Sequence, residues 1–230
     1  MSASKRRIVV TGVGVVTPLG TGNDAFWSSL KSGKSGVMKL QAFATDGNGT
    51  HVAGEVRDFD PKNYVKQRKS LKVMARDIQL AVGAAQIVVE DSGIESAQID
   101  PTRFGVNCGA GLIATDLDEL GGPIDHSVNG TRKFDLKKWG SEGMEQLFPL
   151  WMLKYLPNMP ACHISITYNA QGPNNSITAG DASATLAMGE AYRVIARDSA
   201  DVFIVGGTDS KIHPLSIVRL AALASVDETA

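Results

Sequence analysis

The chain has 230 residues, 43% of them hydrophobic and 20% charged, and its 23 basic and 24 acidic residues leave a net charge of −1. That balance describes an ordinary globular chain read as one domain over 1–230, and it excludes nucleic acid as the main partner, because phosphate binding needs a concentrated positive surface. No apolar run approaches the roughly 20 residues of a membrane-spanning helix, and no apolar signal core opens the chain, so a cytoplasmic protein away from membranes is expected.

The first element is Arg7-Ile-Val-Val-Thr-Gly-Val-Gly-Val-Val-Thr-Pro-Leu-Gly20, a β-branched run long enough for one buried strand ending at Pro18. Gly12 and Gly14 imitate the start of a dinucleotide loop, but Thr17 stands where its third glycine belongs, so nucleotide binding is rejected. Asn23 caps a short helix carrying Phe26, Trp27 and Leu30, which Gly33 to Gly36 stop. Residues 37–69 are polar and turn-rich, with one strand expected at Thr50 to Val56. From Ser70 to Ser92, Leu71, Met74, Ile78, Ala81, Val82, Ala85, Val88 and Val89 recur at helical spacing, and Gly93 ends the helix. Lys72, Arg76 and Asp77 are assigned to its solvated or subunit-facing side.

Arg103 to Gly111 reads as a strand running into a glycine turn, where Gly109 and Gly111 either admit a ligand or make a tight turn. Leu112 to Met159 is broken by Gly121, Gly122, Pro123, Gly130, Gly140 and Gly143, while Met144 to Leu156 concentrates large apolar residues, read as core or interface ahead of ligand wall. His163-Ile-Ser-Ile-Thr-Tyr168 alternates and is read as a strand. Cys108 and Cys162 lack metal-ligand spacing and read as reduced, buried small hydrophobes.

Gly172 to Gly189 reads as a turn feeding a helix. Pro173 and the paired Asn174 and Asn175 end the preceding strand, Ser176 or Thr178 caps the helix, and Asp181 stands at its mouth. Backbone donors and the positive end of the helix dipole gather there, which suits a group that is or becomes negative in a reaction. The apolar run Asp201 to Gly207 completes a strand, turn, helix, strand crossover of a parallel sheet, and a helix over Leu215 to Ala224 follows.

These motifs resemble the β-ketoacyl synthases of the thiolase-like superfamily. The family's nucleophile turn, G-P-x-x-x-I-x-T-A-C-x-S-G, is matched by Gly172, Pro173, Ile177 and Ser183, and Gly189 and the later Ala200, Asp201, Gly206 and Gly207 fall into the same frame. The opening V-V-T-G-x-G-x-x-T-P-L-G and the following W-x-x-L-x-x-G-x-S-G match almost letter for letter. At the place of the family's nucleophilic cysteine this chain has Asp181.

The resemblance implies an α/β, thiolase-like fold, of which this chain is the N-terminal half, with a mainly parallel mixed sheet covered by helices. It implies acyl transfer to a cysteine followed by decarboxylative condensation, without metal or organic cofactor. The implied partners are an acyl carrier protein, acyl and malonyl thioesters, and a second subunit in a homodimer or heterodimer. It also places Gly109 and Gly111 near the acyl pocket. The family's histidine motifs belong to its second half and are absent here, and His51, His126, His163 and His213 do not replace them. Two readings remain open: a synthase-like protein of fatty-acid or polyketide synthesis that does not condense as this chain stands, and a noncatalytic partner comparable to a chain-length factor. A second half carrying the histidines favours the first reading and a natural stop near Ala230 the second. Three further expectations are self-association through the segment holding Ile164, Ile166 and Tyr168, shortened acyl chains when Gly109 is replaced by a bulky residue, and no acyl adduct on Asp181, whose carboxylate would form a high-energy mixed anhydride.

Overall fold

The structure, a computed structural model, describes residues 6–44 and 52–227. Two antiparallel pairs come first, β1 (Val16–Thr17) with β2 (Gly20–Thr21) and β3 (Val37–Lys39) with β4 (Val52–Gly54), on either side of α1 (Asn23–Lys31). The long α2 (Arg76–Ser92) leads to β5 (Phe104–Ala110). Next come α3 (Leu117–His126), the single turn α4 (Leu136–Lys138) and α5 (Met159–Tyr168). The chain then forms β6 (Asn174–Ile177), α6 (Ser183–Ala196), β7 (Val202–Thr208) and α7 (Pro214–Asp227). The last three strands make one parallel sheet in the order β6, β5, β7, and α6 crosses over β5 to join its neighbours.

β5 is buried at every position because it is covered on both faces. Its alternation separates two chemistries. Phe104, Val106 and Cys108 join Ile78, Ala81, Val82 and Ala85 of α2 and Ile164 of α5 in the main core. Burying a side chain of the Phe or Ile class there contributes roughly 1.5–3 kcal/mol. Gly105, Asn107 and Gly109 take the other face, against α6 and its neighbours: Asn107 Nδ2 donates to the Ala187 carbonyl at 3.4 Å, and a Cβ on Gly109 would lie 2.4 Å from the Ala184 nitrogen.

Several expectations are corrected. The first concerns the opening run, which is not one buried strand: only Val16 and Thr17 pair, while Val9 and Val10 are 67% and 75% exposed. Its glycines press on α2 instead, since a Cβ on Gly14 would lie 2.3 Å from the Ala84 carbonyl oxygen. Arg6 binds Asp198 and Asp201, and the Val13 amide donates to Asp91 Oδ2, so the run roofs a cavity of about 620 Å³ beside β7.

The second correction is His163 to Tyr168, which is the end of α5 and not a strand. Pro160 in the first turn favours a helix start, Ser165 and Thr167 donate their hydroxyls to the carbonyls of Ala161 and His163, and Ile164 packs into the core. The strand before the turn is β6, so Asn174 and Asn175 pair with β5 rather than ending a strand.

Third, Asn23 lies inside α1 after Gly22, and its Nδ2 donates to the Val13 carbonyl at 2.7 Å instead of capping. Fourth, the helix expected from Ser70 begins at Arg76, after a 3₁₀ turn over Arg68–Val73. Asp77 is buried and Arg76 half-buried, so neither belongs to a solvated side, whereas Lys72 is exposed. Thr50 and His51, within the strand expected from 50 to 56, lie outside the described residues.

Between α4 and α5 the apolar stretch divides by position. Leu153, Tyr155 and Leu156 pack on the core, while Met144, Phe148, Leu150 and Met152 face outward.

Candidate functional site

The carboxyl ends of the parallel strands converge on the turn between β6 and α6, the place where open α/β sheets bind ligands. Three contacts hold it. Thr178 Oγ1 donates to the Ala110 carbonyl at 2.9 Å, tying the turn to the end of β5. Ser183, buried at the start of α6, donates through Oγ to the Gly180 carbonyl at 2.7 Å and accepts from the Ala179 amide at 2.8 Å. Gly180 sits at φ +57, the left-handed region in which glycine carries no Cβ penalty. Neither Ser176 nor Thr178 caps α6: Ala182 is the capping residue and offers no side-chain bond, while Ser176 Oγ is buried without a partner among the described residues.

Asp181 is therefore fixed through its backbone neighbours and free at its side chain. It is exposed, directly ahead of α6, and among the described residues no hydrogen bond or ion pair restrains its carboxylate. The Ser183 amide closes on Gly180 and that of Leu186 on Ala182, so the amides of Ala184 and Thr185 between them have no partner among the described residues. A carboxyl side chain at this mouth brings acceptor oxygens to a place whose free amides suit charge that develops during a reaction.

Gly109 and Gly207 are the seat of the first α6 turn. A Cβ at Gly207 would come 2.7 Å from the Ala184 Cβ, and one at Gly109 would strike the α6 backbone. Gly109 therefore works by close packing, and a bulky residue there displaces the helix before it trims any pocket. Gly111 differs, because a Cβ on it would meet nothing within 4 Å.

The other reactive side chains are engaged elsewhere. Burial pushes the Cys108 thiol up to about 11, which removes it as a nucleophile at neutral pH. Cys162 is half-buried on α5, where Asn158 Nδ2 reaches its sulfur at 3.7 Å. His163 is buried on α5 and its Nε2 has no partner among the described residues; burial lowers its proton affinity, against a hydrogen bond with the Val73 backbone. His126 ends α3 with Nδ1 2.9 Å from the Gly122 carbonyl, and His213 Nδ1 accepts the Leu215 amide at the start of α7. His51 lies outside the described residues.

Two features escaped the reading of the sequence. Asp77 is a buried carboxylate bonded to the loop after β7, and only its place in an otherwise apolar helix pattern marked it. Lys66, Arg68, Lys69 and Lys72 form an exposed basic group ahead of α2, with no carboxylate partner among the described residues. Their spacing within a few residues was the available signal, diluted by a near-neutral total charge.

Residues 5–229 match the family model for the β-ketoacyl synthase N-terminal domain. The 3-oxoacyl-[acyl-carrier-protein] synthase 2 of Coxiella burnetii is 34% identical over 227 residues, covering 96% of this chain and 50% of that protein. The chain thus spans about half the length of the curated relatives it matches. Among solved structures, the ishigamide ketosynthase/chain length factor superposes with a TM-score of 0.76 at 22% identity, covering 96% of this chain and 51% of that one. A type II polyketide ketosynthase in complex with its acyl-carrier protein superposes with a TM-score of 0.73 at 18% identity, over 94% of this chain and 54% of that one. These two likenesses establish the thiolase-like α/β fold.

Proposed function

Since the chain belongs to the β-ketoacyl synthase family, matching its N-terminal domain, we propose that it serves fatty-acid or polyketide synthesis without forming an acyl-enzyme itself. The observation that carries this reading is Asp181. The turn around it is built as a nucleophile turn would be, with Ser183 locking it and α6 opening behind it, yet the side chain at its centre is a carboxylate. A carboxylate that attacked a thioester would form a mixed anhydride, a poorer store for an acyl group than the thioester it replaced.

Intact-mass spectrometry after incubation with an acyl-carrier thioester tests this. No adduct is expected on the chain as it stands. Asp181→Cys, joined to a second half that carries the family's histidine motifs, is expected to gain one acyl group. An adduct localised to Asp181 would overturn the proposal.

The alternative is a chain-length-factor-like partner of a competent ketosynthase, favoured by Asp181 in place of the nucleophile, while the otherwise intact turn favours a diverged synthase. Mixing with such a ketosynthase separates the readings: a partner subunit changes the length of its products, whereas an inactive synthase leaves them unchanged.

Association with a second subunit, homodimeric or heterodimeric, is part of either reading, but His163 to Tyr168, being helix, does not supply a pairing strand for it. β6 is an outer strand of the sheet and has exposed Asn174 and Asn175, and Ile166, on the helix that Asn174 bonds through Ser165, is 66% exposed. An unpaired strand edge next to apolar surface is a ready template for pairing. For the acyl carrier protein, the support is the group Lys66, Arg68, Lys69 and Lys72, which suits an acidic partner and makes binding weaken with salt. The acyl and malonyl thioesters enter as that carrier's cargo. Gly111 remains the proposed substrate contact, since the space beside it is open.

A further inference from the structure

Asp77 stands in the first turn of α2 and is only 7% exposed. Its Oδ1 accepts the Ser210 amide at 2.8 Å, and its main-chain carbonyl accepts the Thr208 hydroxyl at 2.8 Å. Two bonds from one residue thus fasten the segment leaving β7 onto α2. That segment departs from the edge that carries the Asp181 turn: Thr208 is registered against Ala110, whose carbonyl holds Thr178, and Gly207 seats the first turn of α6.

No cation neutralises this carboxylate by an ion pair among the described residues. Asp209 and Lys211, the charged groups of the segment, pair with each other at 2.5 Å and are exposed. Arg76, its neighbour on α2, directs its guanidinium to the carbonyls of Val56 and Phe59 and lies over the Phe59 ring. Glu55 and Arg57, across the adjoining cavity, pair with each other, and His163 on α5 turns to the Val73 backbone.

We propose that Asp77 is a proton-controlled positioning residue, which holds the loop after β7 against α2 when protonated and loosens it when ionised. A buried carboxylate without a cation is costly to ionise, and lifting the loop returns it to water. Burial, the largest influence, raises Asp77 from 3.8 to about 6, against hydrogen bonds from its own amide and that of Ser210; Asp209 adds to the rise and Lys211 opposes it.

The sign follows from the closed state holding the proton more tightly than the open one. Closure is strongest below the open-state value, declines as pH rises from about 4 to about 6, and is level above that. The full change in the closing equilibrium is about a hundredfold. This inference goes beyond the function proposed above, and its readout involves no acyl chemistry, so the two stand or fall separately.

Amide hydrogen exchange of Ser210 in the full chain, corrected for the intrinsic pH dependence of exchange, is the test. Wild-type protection is expected to fall by up to about a hundredfold between pH 4 and pH 6 and then to level off. Asp77→Asn, which keeps an acceptor but does not titrate, is expected to give protection independent of pH. Protection that is flat in the wild type, or equally sloped in Asp77→Asn, overturns the proposal. Should that variant fail to fold, a carbon-13 titration of the wild-type Asp77 carboxyl decides: a midpoint near 6 supports the latch, and one at the ordinary aspartate value removes it.

Discussion

The two faces of β5 hold their helices in opposite ways. Toward α2 and α5 the strand presents Phe104, Val106 and Cys108, and attraction comes from apolar bulk removed from water. On the other face Gly105 leaves room for the Phe203 ring, Asn107 bonds to the Ala187 carbonyl of α6, and the helix start comes close at Gly109 because a side chain is missing there. The first face sets stability, while the second sets position. Asp181 depends on the second, because the turn before α6 is located by where the first turn of that helix rests.

The contrast is broken most severely at Gly109. Gly109→Val places new atoms against the Ala184 nitrogen, backbone that has no room to give, and is expected to cost about 4 kcal/mol or more or to abolish cooperative unfolding in a urea titration. Gly111→Ala, with open space at its Cβ, is the matched control and should stay within about 0.5 kcal/mol of wild type. A folded Gly109→Val chain with unchanged stability would mean that α6 is not seated as described.

Phe104→Ala attacks the opposite face. Removing a fully buried ring is expected to cost about 3–5 kcal/mol by the same titration, while the chain still folds around the smaller residue. The difference in kind sharpens the comparison: a cavity lowers stability but leaves the Asp181 turn in place, whereas a clash at Gly109 moves it. Nuclear magnetic resonance shifts of Ala179 to Ser183 should register the second and not the first.

Cys108 gives the smallest effect and a direct probe of the bulky face. With burial holding its thiol near 11, a thiol-alkylating reagent at pH 8 should leave Cys108 unmodified in the native chain and label it only on unfolding. Cys162, half-buried on α5, should be labelled first. Peptide mapping of the labelled protein reads both, and rapid native labelling at Cys108 would show that α2 and α5 do not cover the strand.

Much of this protein was determined by the sequence alone. Arg103 to Gly111 and Asp201 to Gly207 are short β-branched or apolar runs ended by glycines, α2 carries an apolar repeat at helical spacing, and Gly93 ends α2 in the left-handed conformation that glycine favours. The tight turn at Gly180 and the helix that follows it were legible because a glycine and a run of small residues meet steric demands that are local in the chain, whereas β6 just before it reads as turn.

Tertiary structure decided the rest. The alternation of His163 to Tyr168 is compatible with a strand and with a helix, and its fate was settled by packing against α2 and β5. The run from Arg7 to Pro18 has the composition of a buried strand, but burial needs a partner, and its glycines bring it onto α2 with its valines outward. Gly109 is small for a reason found 75 residues later in Ala184, and the Asp77 carboxylate is buried by a loop that arrives 133 residues later. A local pattern records which conformations a segment tolerates; which neighbour comes to rest on it is a property of the folded chain, and the chemistry at Asp181 and Asp77 depends on those neighbours.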